Sequence, residues 1–191
     1  MTKVIGKYNI DDVVQYLYDT WITDEIRSKI KEALETQVSL SGPSQERGKE
    51  GEDYILKTLN NKQIDKGWTF KTTPQSRTCA DIVGIRENTE TVYFLLIQVK
   101  TGNPNYLSSK FDEVKTFPIL KDILVKYLKH KKEKRKVLIC TCFVLIETED
   151  TEINSKTKID TSGINFYHLK NADTIGRKAL MKRTIKSCEQ K

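Results

Sequence analysis

The stretch FLLIQVKTG (94–102) constrains this chain most. Phe94 to Ile97 and Val99 are apolar and read as a strand entering a core. Gln98 and Lys100 interrupt that strand near its end. Strand alternation puts Leu96, Gln98 and Lys100 on one face and Val99 on the other. An amide and an ammonium beside a core are costly unless each has a partner. The chain must therefore fold so that something meets this pair.

The rest of the pattern supplies a sheet with helices around it. WTFKTTP (68–74), CADIVGIR (79–86), TVYFLLIQVK (91–100), KVLICTCFVLIE (136–147) and INFYHL (164–169) read as strands. ENTE between the second and third is a hairpin turn, placed around Asn88 and Thr89. ERGKEGEDYILKTLNN (46–61) has helical spacing at Ile55, Leu56 and Leu59. KFDEVKTFPILKDILVKYLKHKK (110–132) is a helical region broken or restarted near Pro118, and ADTIGRKALMKRTIKS (172–187) a closing helix. From residue 46 the core order is αβββαβ, an α/β arrangement with a mixed sheet flanked by helices. Residues 9–37 read as two helices. The second starts at Thr23, an N-cap before Ile26, Ile30 and Leu34. SLSGPSQ (39–45) reads as a linker. The expected division is a helical appendage over 1–40 and one domain over 46–191.

Several classes are excluded. No apolar run is long enough for a membrane span, and the N-terminus lacks an apolar h-region, so an intracellular, non-secreted protein is expected. Four cysteines at 191 residues do not make a disulfide framework; Cys140 and Cys142, on one strand face, read as reduced buried thiols. GPSQERGK (42–49) departs from a phosphate-binding loop in its glycine spacing and in Glu50 after the lysine. No GxSxG elbow, HExxH helix or EF-hand loop is present. Two histidines, His130 and His168, leave little room for a histidine-based triad.

The polar pair finds partners if three segments converge. Asp81 enters an apolar strand between Ala80 and Ile82. With the hairpin centred on Asn88 and Thr89, it lies opposite Leu96, diagonal to Gln98 and on its face. Glu52 heads the inward stripe of Leu56 and Leu59, and Gly48 and Gly51 let that helix approach closely. Asp81, Gln98, Glu52 and the Val99 carbonyl would offer oxygen ligands only, the habit of Mg2+. Lys100 would stabilise charge on a phosphorane-like state or orient the attacking water. Ordinary alternatives stand beside each. Asp81 could pair with Arg77, Lys100 could extend to water, and Glu52 could favour a helix start.

The set RGKEGE (47–52), Asp81 and QVK (98–100) resembles the PD-(D/E)xK nuclease superfamily, over roughly residues 46–147. The QxK variant is similar to Mrr-type restriction endonucleases, and the layout to archaeal Holliday junction resolvases. Cys79-Ala80 stands where many members carry Pro before the aspartate, and Gln98 replaces the usual acid. The resemblance implies a restriction-endonuclease-like fold and hydrolysis of DNA phosphodiesters with Mg2+ or Mn2+. It makes Asp81 and Gln98 metal ligands, Lys100 the catalytic lysine and Glu52 the motif acid, with Glu50 as the other acid of that turn. Nucleases of this type often act as homodimers.

Charge agrees with a polyanionic partner. The net charge is +7, yet residues 1–40 hold more acids than bases, so the excess lies beyond them, in KHKKEKRK (129–136) and GRKALMKR (176–183). Arg47, Lys49, Ser76, Arg77, Lys131, Lys132, Lys134 and Arg135 are the expected DNA contacts. Gln98 leaves open a non-cleaving nucleic-acid-binding module of the same fold. Tyr16, Tyr18 and Trp21 leave open an adaptor working through its N-terminal helices.

Overall fold

The computed structural model describes residues 6–21, 43–60, 67–74, 80–101, 117–147, 165–170 and 186. The elements run α1 (Ile10–Trp21), α2 (Pro43–Leu59), β1 (Trp68–Thr72), β2 (Ile82–Glu87), β3 (Thr91–Thr101), α3 (Phe117–His130), β4 (Lys136–Glu147) and β5 (Asn165–Lys170). The five strands form one mixed sheet in the order β1-β2-β3-β4-β5. β2 runs antiparallel to both β1 and β3; β4 runs parallel to β3, and β5 to β4. Parallel neighbours need a crossover, and α3 lies within it. No helix of the described residues is long and apolar enough to cross a membrane.

β3 is central, and alternation gives each sheet face its own core. Val92, Phe94 and Leu96 point to the face covered by α1 and α3. Leu95, Ile97 and Val99 point to the face covered by α2 through Ile55 and Leu59. Each such buried side chain contributes about 1.5–3 kcal/mol. The αβββαβ order read from residue 46 is observed, preceded by α1 and followed by β5.

Four expectations need correction. The first helix is not an appendage: Val13, Val14, Leu17 and Trp21 are buried in the same cluster as Leu96, Leu124 and Phe143. It shares that sheet face with α3. α2 begins at Pro43, inside the expected linker, because proline suits a first helical turn. α3 likewise starts at Phe117 with Pro118 in its first turn, so the proline opens this helix rather than breaking it. Cys142 is a buried thiol outside any disulfide, as expected, but Cys140 is disulfide-bonded. The helix expected from Thr23 and most of the closing helix lie outside the described residues; within the latter, Lys186 is helical.

The β2–β3 register also differs. Ile82 pairs with Ile97, which sets Asp81 opposite Gln98 instead of Leu96. The cause is the turn. Asn88 sits at its first position, and its Oδ1 accepts from the N–H groups of Glu90 (2.9 Å) and Thr91 (2.6 Å). Moving the turn centre by one residue shifts each partner by two, so Asp81 keeps the expected face.

Candidate active site

The site grows from the end of β3. Asp81 is fixed there before its side chain does anything. Its N–H donates to the Ile97 carbonyl (2.8 Å), and its carbonyl accepts from Thr73 N–H (2.9 Å). Thr73 Oγ1 donates to the Ala80 carbonyl (2.7 Å), which holds the segment entering β2. The carboxylate then faces β3. Asp81 Oδ2 accepts from Gln98 Nε2 (2.7 Å) and from the backbone N–H of Val99 (2.6 Å). Asp81 is 5% exposed and Gln98 2%.

This geometry fixes the amide. An ionised carboxylate only accepts, so the NH2 of Gln98 must face Asp81. Gln98 Oε1 is thereby turned away, and it is buried with no hydrogen-bond partner among the described residues. Leaving a buried acceptor unmatched costs about 1–3 kcal/mol, and native proteins seldom tolerate it without a use. Val99 shares the β2-facing edge with Ile97, so its carbonyl lies on the edge where Asp81 sits.

Lys100 and Glu52 complete the neighbourhood from different sides. Lys100, by its register against Leu145, belongs to the face of Gln98. Glu52 comes from α2, whose buried stripe of Ile55 and Leu59 covers the other face. The two meet electrostatically at the strand end. Burial raises the Glu52 carboxyl above its ordinary value; the Lys100 charge opposes that rise, Asp53 adds to it, and Lys49 opposes it. Asp81, Gln98 and Val99 are thus brought together directly, with Lys100 linking them to Glu52. Glu52 is not set against Asp81 on one face. No group of three or more His, Cys, Asp or Glu side chains with metal-holding geometry occurs among the described residues.

Of the two glycines expected to allow close approach, one does. A Cβ at Gly51 would run into Thr101 Oγ1 and press on Ile146 Cδ1 at 3.3 Å, so α2 lies against the end of β3. Gly48 faces open space. Sequence reading missed Thr101, whose Oγ1 is, like Gln98 Oε1, buried without a partner among the described residues. The signal was present: a threonine directly after Lys100, on the strand face turned to α2.

The expected DNA contacts do not assemble here. Ser76 and Arg77 lie outside the described residues. Arg47 is placed only as a position on α2, and Lys49 and Glu50 are exposed on that helix. Lys131, Lys132, Lys134 and Arg135 precede β4, whose first residue pairs with Thr91. At about 3.3 Å per residue, nine strand steps put them ~30 Å from Lys100, at the other end of the sheet. Arg135 is also consumed. Its Nη2 reaches Glu87 Oε2 (2.8 Å) and Glu133 Oε2 (2.9 Å), and its Nη1 donates to the Asn88 carbonyl (2.9 Å). It is a structural cation, because a guanidinium spent on two carboxylates has nothing left for phosphate.

Comparison of the chain with family models, with curated proteins and with solved structures finds no match.

Proposed function

We propose that this chain is a metal-dependent nuclease of the PD-(D/E)xK type, with a restriction-endonuclease-like core and DNA phosphodiesters as substrate. One observation carries the reading. A buried carboxylate holds a buried glutamine whose carbonyl oxygen has no partner among the described residues, two positions before a lysine with only Val99 between. The αβββαβ order of the elements agrees with it.

The donor set fits a hard divalent cation. Asp81, Gln98 Oε1 and the Val99 carbonyl would hold it through oxygen alone, and Mg2+ keeps several waters beside few protein ligands. When bound, such an ion supplies an activated water and neutralises phosphate charge. The chain's own groups do the positioning. Asp81 orients Gln98 by accepting from its Nε2, and Val99 N–H orients Asp81 in turn. Lys100 brings positive charge to where the transferred phosphoryl group gains negative charge. Glu52, whose carboxyl burial raises and the Lys100 charge lowers, would help to steady that lysine.

The test is cleavage of linear, branched and plasmid DNA by the full chain with Mg2+ or Mn2+. Wild type should cut, and Asp81→Asn and Lys100→Ala should not while keeping their circular dichroism. Cutting by both variants at the wild-type rate rejects the assignment. A second reading is favoured by one fact: the same Asp81 oxygen takes two internal hydrogen bonds, as a carboxylate ending a β-ladder would. That is a non-cleaving module of the same fold, and it predicts no thermal shift with divalent ions. Of the three aromatics behind the adaptor reading, Trp21 is buried in the core and Tyr16 packs on Tyr127 with ring centroids 4.7 Å apart, so these two serve packing.

A further inference from the structure

The end of the sheet remote from Asp81 carries a charge arrangement that the site does not use. Lys126, Lys129, Lys131, Lys132, Lys134 and Lys136 are all exposed. The acid within this run, Glu133, does not neutralise them, because it is turned inward. Its carboxylate accepts from Tyr8 Oη (2.7 Å), Arg135 Nε (3.0 Å) and Arg135 Nη2 (2.9 Å). Lys7 Nζ stands 3.4 Å from it as well. Arg135 in turn is matched by Glu87. Glu90, whose carbonyl accepts from Lys136 N–H, is an exposed acid beside the run and offsets one charge.

The run is also held rigidly. α3 ends in a Schellman motif: Glu133 N–H bonds to the Leu128 carbonyl and Lys132 N–H to the Lys129 carbonyl, both at 3.0 Å. Lys132 takes φ 52°, a conformation that glycine or asparagine would adopt more easily. Lysines near a helix C-terminus do relieve the macrodipole, but that dipole amounts to about half a charge. One lysine satisfies it, and Lys129, Lys132 and Lys134 crowd there as like charges.

We propose that this basic cap is a second nucleic-acid contact, separate from the cleavage site, that grips the phosphate backbone without reading bases. It relies on the proposed function only for naming the polyanion as DNA. Lysines act on phosphate as point charges, which suits positioning over sequence readout. At ~30 Å from Lys100 the cap lies about nine base pairs along a duplex rising 3.4 Å per pair, outside the reach of the scissile phosphate.

The experiment measures anisotropy of a labelled 30-base-pair duplex with the full chain in EDTA, so that no cutting intervenes. The variant is Lys129→Gln/Lys132→Asn/Lys134→Gln, with asparagine chosen for the left-handed position. Affinity should fall about tenfold or more at 0.1 M salt, and the log–log salt slope should flatten by ~2.7, at ~0.9 per lost phosphate contact. A double variant, Lys129→Gln/Lys134→Gln, keeps the test open should the triple one misfold, with a slope change of ~1.8. The binding readout needs no cutting, so it reports on the cap even where the full chain cleaves no DNA, and the two readings fail separately. Unchanged affinity and slope in a folded variant overturns the proposal. So does tighter binding to phosphatidylserine vesicles than to the duplex, which would assign the cap to a membrane surface.

Discussion

The two ends of the sheet treat buried polar groups in opposite ways. At the hairpin end, Glu87, Glu133, Arg135 and Tyr8 form a closed network in which carboxylates, guanidinium and phenol all have partners. At the other end, Gln98 Oε1 and Thr101 Oγ1 are buried without one. Both ends bury polar groups beside apolar packing, so desolvation is common to them. What differs is completion. A closed network is cohesive and makes the fold specific, whereas an open one is a standing cost unless something outside the chain completes it. By that difference, the buried network under the basic cap reads as structure, and the Gln98 end as a place left for an outside partner.

The largest expected effect is on catalysis, and only at the open end. Lys100→Ala should lower cleavage by about 10³-fold, roughly 4 kcal/mol of transition-state stabilisation, with little change in melting temperature. Arg135→Met should do the reverse. It strands two nearly buried carboxylates, so urea unfolding should show a loss of about 3 kcal/mol while the folded fraction cuts normally. An Arg135→Met protein that is stable but inactive would erase the distinction between the ends.

Acid sharpens the same contrast. Hydrogen bonds from Arg135, and then from Tyr8, hold the Glu133 carboxyl well below the usual carboxylate range, despite its burial. A depressed carboxyl lends stability that is full above its unfolded value, about 4.3, and lost as pH falls toward the folded one. Stability should therefore decline on acidification below about pH 4, and Arg135→Met should flatten that decline. Glu52 has the opposite sign. Raised by burial, it is stabilising when protonated and loses that as pH rises through its folded value. Stability against pH for Glu52→Gln, measured beside wild type, checks this direction.

Much of this was legible in the sequence, and the misses share a cause. Strand positions and the αβββαβ order follow from local alternation and spacing, which each segment carries by itself. The Asp81–Gln98 face was readable because a turn shift changes pairing in steps of two. What was not legible depended on partners far along the chain. That α1 closes the core is decided by the bare sheet face and not by its own stripe. Arg135 looked like one cation among many, because Glu87 stands 48 residues away. Glu52 was read as inward, which is correct, but the sheet face that α2 covers is a tertiary fact.

A substitution pair at the open end tests the idea of completion more finely. Thr101→Val removes a hydroxyl without a partner and keeps the shape, so it should raise stability by about 1 kcal/mol. Thr73→Val removes one bonded to the Ala80 carbonyl and should cost about as much. Equal destabilisation by both would mean that Thr101 Oγ1 is completed within the chain after all.

The smallest expected effect sits at the closed end, in its backbone. Lys132 is held at φ 52° by the Schellman bonds that finish α3. A residue with a Cβ pays about 1 kcal/mol in that region, which glycine avoids. Glycine gives some of this back through its greater freedom in the unfolded chain. Lys132→Gly should therefore stabilise by about 0.5 kcal/mol, seen as a higher urea midpoint with an unchanged slope. It also deletes one cation from the cap, so the DNA salt slope should flatten by ~0.9. Rising stability with falling DNA affinity at a single residue would show that the strain is kept for the charge it presents. A lower midpoint would mean instead that the Lys132 side chain itself holds the end of α3 in place.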